Sequence, residues 1–259
     1  MFWSRIKRTQ THIQVHQPIN LLKRKIPIQL LHQIKTTGLT FFNQSSIDDK
    51  LTYSCDPHSF ASQGYGSRML LNDENNLVVL DWRDYFDHHT LPLSRWDSSR
   101  WPHLPENYRE TVVSYNDEMK GLAQKPMGLI SESLGLRGSY IEEAVGELYQ
   151  NITINYYPPC PQPDLTLGLQ PHSDTGAITL LIQDDVRGLE FLKDDQWITV
   201  DPLSDAILVI LADQTEVPSF FLFLIFLFFF NFWSCVLGSE FVFLLLLFKT
   251  HLNFNSYVF

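Results

Sequence analysis

The sequence predicts an α+β protein in which helices come first and closely spaced strands follow. Between residues 108 and 122, apolar side chains recur at three- and four-residue steps, which marks one buried helix face. After residue 150, short segments rich in β-branched residues are separated by Pro, Asp and Gly. This order of elements favours a helical region followed by an antiparallel sandwich or barrel.

The first hundred residues give weaker signals. Residues 28–42 have partial helical spacing, and the helix is expected to end near Gly38. Residues 43–67 are rich in turn formers and predict a loop. Residues 77–82 are apolar and partly β-branched, which predicts a short strand.

The main helix is expected to start after Pro105 and to be disturbed at Pro126. Proline lacks an amide donor and clashes with the preceding turn, so a kink or break is expected there. A shorter helix should follow, because Ser139 and Glu142 form a capping-box pattern. The predicted strands then cover residues 152–157, 177–183, 189–192, 197–200 and 206–211.

Charge divides the chain into three parts. Residues 1–47 contain seven Lys or Arg and no acid, whereas residues 48–216 carry 28 acids and 11 bases. Residues 217–259 contain only Glu240 and Lys249 as charged side chains. The basic N-terminal segment lacks the continuous apolar stretch of a secretory signal. We favour an irregular N-terminus without a targeting function over an organellar transit peptide.

The net charge and the cysteine content argue against some classes of protein. A net charge of −10 argues against a nucleic-acid partner. Three cysteines, Cys55, Cys160 and Cys235, fit neither a disulfide framework nor a zinc spacing, so a reducing, cytoplasmic compartment is expected. The oligomeric state is not indicated.

His172 and Asp174 are the candidate metal ligands. A residue and its second neighbour on an extended chain point to the same side, so imidazole and carboxylate can bind one ion. Two His nitrogens and one carboxylate on an octahedral face are typical of non-haem Fe(II) oxygenases. An isolated HxD is nonetheless weak evidence, because the chain contains nine histidines and many aspartates.

The sequence around His172 and Asp174 makes the motif specific. Residues 155–165 read NYYPPCPQPDL and residues 168–181 read GLQPHSDTGAITLL. This text resembles the plant Fe(II)/2-oxoglutarate-dependent dioxygenases, the isopenicillin N synthase-like family. The resemblance covers roughly residues 26–216 and is strongest from residue 150 onward.

The resemblance implies a double-stranded β-helix (jelly-roll) core flanked by helices. It implies that His172 and Asp174 bind Fe(II), and that Asn155 and Tyr157 help to hold 2-oxoglutarate. It also implies that O2 and 2-oxoglutarate are consumed to oxidise a small organic metabolite, with release of succinate and CO2. The candidate pocket-lining residues are Tyr85, Phe86, Trp101 and Phe191, although we favour ordinary core packing for each.

The family pattern stops after Glu216. The family has a second histidine about fifty-five residues beyond the HxD and an Arg-x-Ser further on, but the last arginine here is Arg187. The later His251 has no familiar sequence around it. The sequence therefore predicts a core that lacks its C-terminal half and a chain that is catalytically inactive.

The apolar tail has two interpretations. Residues 219–248 are long and apolar enough to suggest a membrane anchor, which would leave a membrane-attached or soluble non-catalytic pseudoenzyme. We favour a translated, T-rich intron, because Phe codons are T-rich and the Val217 codon begins with the usual first bases of an intron. The expected organisation is 1–25 basic N-terminus, 26–149 helical region, 150–216 partial β-core and 217–259 apolar tail.

Overall fold

The computed structural model describes residues 26–55, 63–67 and 81–215, together with the backbone of residues 9–11. Two long helices, α1 (Ile28–Gln44) and α3 (Tyr108–Ser133), contact each other. Two short helices, α2 (Ile47–Leu51) and α4 (Tyr140–Val145), each come just after a long one. Helices thus dominate the first half of the described chain, as predicted.

The strands form three small sheets. Strands β2 (Gly64–Ser67), β3 (Asp84–Leu91) and β4 (Gln150–Tyr156) pair antiparallel in that order. Strands β5 (Ile178–Leu181) and β8 (Leu208–Leu211) form an antiparallel pair. The third sheet contains an antiparallel pair, to which β1 adds in parallel; its strands are β1 (Thr9–Thr11), β6 (Leu189–Lys193) and β7 (Gln196–Val200).

All five strands predicted after residue 150 are confirmed within a few residues. The prediction missed β3, because its buried positions include Asp84, His88 and Thr90 beside Phe86. Polar residues on the inward face hide the alternation of apolar and polar side chains from which a strand is recognised. The strand predicted at residues 77–82 falls mostly outside the described residues, and Asp81 makes only an isolated bridge with Leu167.

The main core lies between α1, α3 and the β2–β3–β4 sheet. Aromatic rings dominate it, and edge-to-face pairs join Phe41 to Phe86 and to Tyr108 at centroid distances of 5.5 and 5.7 Å. A smaller apolar cluster joins the other two sheets through Leu189, Phe191 and Ile210. Fully buried aromatic side chains contribute strongly to folding, so this core fixes the position of β3 and β4.

Helix α1 does not end near Gly38, contrary to the prediction. It continues to Gln44, and Gly38 is buried within it. A Cβ at Gly38 would lie 2.8 Å from the Cγ2 of Ile154 on β4. The glycine therefore allows the helix to approach the sheet closely, and the gain in packing outweighs its low helix propensity.

A kink or a break was predicted at Pro126, and the break does not occur. Helix α3 runs through Pro126 without interruption, although the proline removes one backbone donor. Met119 and Leu122 before the proline and Met127 after it are all buried. Packing on both sides of Pro126 holds the helix together, and tertiary contacts commonly override local propensity in this way.

The capping box lies at a different place from the one predicted. Helix α4 does start after Ser139, but the Ser139 hydroxyl donates to Glu143 and makes no cap hydrogen bond. A true capping box joins Ser46 and Asp49 at the start of α2, within residues 43–67 where a loop was predicted. The five-residue α2 is too short to show apolar periodicity, and β2 follows in the same stretch.

Gly64 is required by the turn that leads into β2. Its φ of +130° lies in the region that L side chains avoid, and a Cβ there would lie 2.3 Å from the Tyr53 carbonyl oxygen. We expect Gly64→Ala to lower the free energy of unfolding by about 2 kcal/mol or more, measured by urea unfolding. Gly188→Ala is the control, because a Cβ at Gly188 meets nothing within 4 Å. Equal losses in the two variants would contradict the prediction.

No helix in the described ranges is both long enough and apolar enough to cross a bilayer. The apolar run of residues 219–248 lies outside the described residues.

Candidate metal and cosubstrate site

The loop before His172 is held by the segment that leads into β3. The Trp82 amide donates to the Leu167 carbonyl at 2.7 Å, and the Trp82 indole Nε1 donates to the Pro158 carbonyl at 3.0 Å. Asp81 Oδ1 accepts from the Gln170 amide at 2.9 Å. Two neighbouring residues thus fix both ends of the proline-rich loop between β4 and His172.

The structure brings His172 and Asp174 together, as the HxD spacing predicts. The His172 Nε2 lies 3.6 Å from Asp174 Oδ1. The other ring nitrogen, Nδ1, lies 2.9 Å from the Gln170 carbonyl oxygen, which can only accept, so Nδ1 carries the proton. Nε2 therefore faces the Asp174 carboxylate. In neutral His172 it offers a lone pair to a metal ion there, whereas in protonated His172 it donates an N–H to Asp174.

The segment after β8 holds Asp174 in place from the other side. The Asp213 amide donates to the Asp174 carbonyl at 3.0 Å, and the Ser173 hydroxyl donates to Asp213 Oδ2 at 3.0 Å. The Gln214 amide donates to the Gly176 carbonyl at 3.0 Å. The ligand loop is therefore fixed by β3 at one end and by the end of β8 at the other.

The two candidate ligands influence each other's protonation. A hydrogen bond to Asp174 is the main cause that raises the pKa of His172; burial and the charge of Arg83 act in the opposite direction. Burial disfavours the ionised form of Asp174, but hydrogen bonds from His172 and Thr179 outweigh it and lower its pKa. The pair therefore favours an ionised Asp174 carboxylate, the form that binds a cation. The raised pKa of His172 favours the imidazolium, so binding of a metal ion there must displace a proton.

Asn155, the next-to-last residue of β4, is exposed on the face opposite the core, and Tyr157 directly follows the strand. Tyr156 between them points toward the core: its ring stacks on Phe42 at 5.1 Å, and its hydroxyl donates to Asn43 Oδ1 at 2.7 Å. This is the alternation expected of neighbouring residues in a strand. The role of Asn155 and Tyr157 in holding 2-oxoglutarate stays a prediction.

Arg83 is a charged residue that the sequence interpretation missed at this site. Its Nη1 donates to Asn155 Oδ1 at 2.6 Å, and its guanidinium lies 4.9 Å from the centroid of the Tyr85 ring. It is 72 residues from Asn155 in sequence, and it follows a segment for which no family motif was recognised. Its role depends on the pairing of β3 with β4, which the sequence pattern did not reveal.

Three of the four candidate pocket-lining aromatics are ordinary core. Phe86 and Trp101 are fully buried, and Phe191 is 2% exposed. Tyr85 is half-buried, and its ring lies against Gly66, where a Cβ would come within 2.2 Å of it. The interpretation of Phe86, Trp101 and Phe191 as core is therefore confirmed.

Within residues 26–55, 63–67 and 81–215, no three His, Cys, Asp or Glu side chains gather as a metal site. His172 and Asp174 are accordingly a pair without a third such partner in the described part of the chain. His251, the later histidine, lies outside it.

Comparison with known proteins defines the class of this site. Residues 149–229 match the family model described as the 2OG-Fe(II) oxygenase superfamily. These residues belong to that superfamily, whose members use Fe(II), 2-oxoglutarate and O2. The match begins at the start of β4, includes both candidate ligands, and extends beyond Glu216, where the resemblance was expected to stop.

The curated relatives described next are all plant proteins. Jasmonate-induced oxygenase 1 of Arabidopsis thaliana is 41% identical over 194 residues, which are 74% of this chain and 47% of the relative. Protein DOWNY MILDEW RESISTANCE 6 of Arabidopsis thaliana is 34% identical over 213 residues, 80% of this chain and 61% of the relative. The leucoanthocyanidin dioxygenase of Petunia hybrida is 33% identical over 204 residues, 78% of this chain and 46% of the relative. The chain thus spans about half the length of these relatives.

Solved structures support the fold. The crystal structure of JOX2 in complex with 2OG, Fe and JA matches with a TM-score of 0.68 and 38% identity, covering 75% of this chain and 57% of that one. A full-length Neurospora crassa protein, crystallised with alpha-KG and thymine, matches with a TM-score of 0.61 at 19% identity, covering 74% and 62%. At that identity the second match bears on the fold alone. The solved 2OG-Fe(II) oxygenases have a jelly-roll fold, and the described residues have helices and antiparallel sheets that match theirs.

Proposed function

We propose that this chain carries part of an Fe(II)/2-oxoglutarate-dependent oxygenase site, in which His172 and Asp174 are two of the iron ligands. The observation that carries the proposal is the separation of 3.6 Å between His172 Nε2 and Asp174 Oδ1. This is shorter than two metal–ligand bonds of about 2.1 Å each, so both atoms can reach one ion. A neutral imidazole and a carboxylate are also the donor types that non-haem Fe(II) sites use.

The cosubstrate is assigned to the side of Asn155 and Tyr157. Asn155 is exposed on the face opposite the core, and both residues match family positions that hold 2-oxoglutarate. A bound iron with 2-oxoglutarate and O2 would supply the oxidation of a small organic molecule, with release of succinate and CO2. The substrate class rests on similar proteins: the JOX2 crystal structure contains JA, and another relative is named a leucoanthocyanidin dioxygenase.

The extent of the domain is part of the same proposal. Residues 1–25 form a basic N-terminus, 26–149 a helical region and 150–216 a partial jelly-roll core. We attribute the apolar residues 217–259 to translated intron, although the family match includes residues 217–229. The alternative, a non-catalytic protein attached to a membrane, is favoured by the tail's single acid and single base. Carbonate extraction of membranes distinguishes the two, because an inserted tail stays with the membrane.

We further propose that the 259-residue chain does not catalyse the oxidation of a substrate. It has two ligands in the described residues, and no arginine follows Arg187 to pair bidentately with the far carboxylate of 2-oxoglutarate. Fewer ligands lower the affinity for iron, and a missing anchor lowers the affinity for the cosubstrate. Binding without catalysis is the expected behaviour.

Metal titration of the full chain tests the ligand assignment. We expect weak binding of Mn(II), used as an oxygen-stable substitute for Fe(II), and a loss of at least about tenfold in affinity for His172→Ala and for Asp174→Ala. The exposed His103, changed to Ala, is the matched control. Equal affinities for the unchanged chain and both ligand variants would contradict the assignment. Formation of succinate coupled to substrate oxidation would contradict the proposed lack of turnover.

A further inference from the structure

Arg83 contacts Asn155 across the sheet. Arg83 immediately precedes β3, and Asn155 lies near the end of β4, opposite Tyr85 in the register of the sheet. The Arg83 Nη1 donates to the amide oxygen of Asn155 at 2.6 Å. The contact thus links the segment before β3 to the strand that carries the candidate cosubstrate residues.

This contact determines how the Asn155 amide is oriented. A guanidinium has five N–H donors and no acceptor, so it can bind only the oxygen of the amide. The Nδ2 group of Asn155 must then point away from Arg83. Asn155 is exposed, so its two Nδ2 donors are accessible to a ligand on the face of β4 opposite the core.

Arg83 also has capacity beyond this contact. Its Nε is buried and has no hydrogen-bond partner among the described residues. The guanidinium is held over the Tyr85 ring, 4.9 Å from its centroid. A fixed cation and a pair of amide donors are groups that bind a carboxylate.

We propose that Arg83 is a positioning residue for the carboxylate of 2-oxoglutarate: it orients the Asn155 amide as a donor and adds a positive charge next to that amide. The inference rests on the proposed function and adds a residue to it. The proposed ligand is the cosubstrate, although the carboxylate of an acidic organic substrate has the same chemistry.

Calorimetric titration of the Mn(II)-loaded full chain with 2-oxoglutarate tests the proposal. We expect Arg83→Gln to weaken binding about tenfold, because a charge-assisted contact and the amide orientation are both lost. Arg83→Lys should restore part of the affinity through its charge. Arg187→Gln is the control, because Arg187 forms an exposed ion pair with Asp201 at 2.7 Å. Hexanoate serves as a carboxylate without the keto group.

Asn155→Asp separates positioning from a merely structural role. The new carboxylate at position 155 keeps a partner for Arg83 but has no N–H to donate. We expect an unchanged or higher melting temperature together with a loss of 2-oxoglutarate binding of about tenfold or more. A purely structural contact would leave binding intact in this variant.

Each outcome has a defined meaning. Equal 2-oxoglutarate affinities for the unchanged chain, Arg83→Gln and Asn155→Asp would overturn the role of Arg83, while metal binding through His172 and Asp174 would stand. If Arg83→Gln weakens hexanoate and not 2-oxoglutarate, the assignment to the cosubstrate is wrong. Failure of the unchanged chain to bind 2-oxoglutarate overturns this inference. Failure to bind Mn(II) instead overturns the proposed ligands.

Discussion

Replacing Phe86 by alanine is expected to lower the free energy of unfolding by about 3 to 5 kcal/mol. Phe86 has no exposed surface and lies at the centre of the main core. Its ring contacts those of Phe41 and His88 at centroid distances of 5.5 and 4.6 Å, and those of Tyr53 and Tyr108 at 6.2 and 6.3 Å. Truncation would remove these contacts and leave a cavity that rigid neighbours cannot fill.

Urea unfolding followed by tryptophan fluorescence measures this loss. Phe86→Leu should cost clearly less than Phe86→Ala, because it keeps most of the buried volume. Leu93→Ala is the surface control, since Leu93 is 72% exposed, and its effect should stay within about 0.5 kcal/mol. A Phe86→Ala variant as stable as Leu93→Ala would show that this core does not hold the fold together.

The effect of Phe86 extends to the candidate site through β3. The strand that carries Phe86 follows directly after Asp81, Trp82 and Arg83. These three residues anchor the loop before His172 and hold Asn155. The aromatic core therefore supports the geometry of the site through the strand that it holds in place.

The parts of the fold that the sequence predicts are those with local periodicity. Helix α3 has regular apolar spacing, and the strands after residue 150 are short β-branched segments between turn formers. The start of α3 and all five strands were predicted in place, whereas the continuation of α3 through Pro126 was not. Strand β3 was missed because buried His88 and Thr90 are satisfied by hydrogen bonds to β4, namely to the Ile152 and Gln150 carbonyls. Partners that satisfy buried polar groups cannot be recognised before the pairing is known.

The candidate site likewise has features that follow from the local sequence and features that depend on strand pairing. His172 and Asp174 are two residues apart, so their proximity follows from chain geometry alone. Arg83 and Asn155 are 72 residues apart, and Asp81 and Gln170 are 89 apart. Such contacts depend on the register of β3 against β4. The sequence could therefore predict the candidate ligands but not the residues that orient them.

The second large effect concerns pH and the buried His88. Its Nδ1 donates to the Ile152 carbonyl at 2.8 Å, and its Nε2 accepts from the Tyr108 hydroxyl at 3.0 Å. Burial lowers the pKa of His88 from 6.5 to about 4. The unfolded chain therefore binds a proton between these two values while the folded chain does not. Stability should fall by about 3 kcal/mol as pH decreases from about 6.5 to about 4.

Comparison of pH slopes between the native chain and His88→Gln tests this expectation. The slope is the readout, because the substitution also changes the absolute stability. Burial raises the pKa of the nearby Asp87, which gives a slope of opposite sign near the acid end of the window; it remains in both proteins and cancels in the difference. Exposed His103, changed to Gln, controls for the loss of one histidine. If native chain and His88→Gln have the same slope, His88 is not the group that destabilises the fold in acid. A shallower slope in His88→Gln alone would assign the acid sensitivity to the side chain that joins β3, β4 and α3.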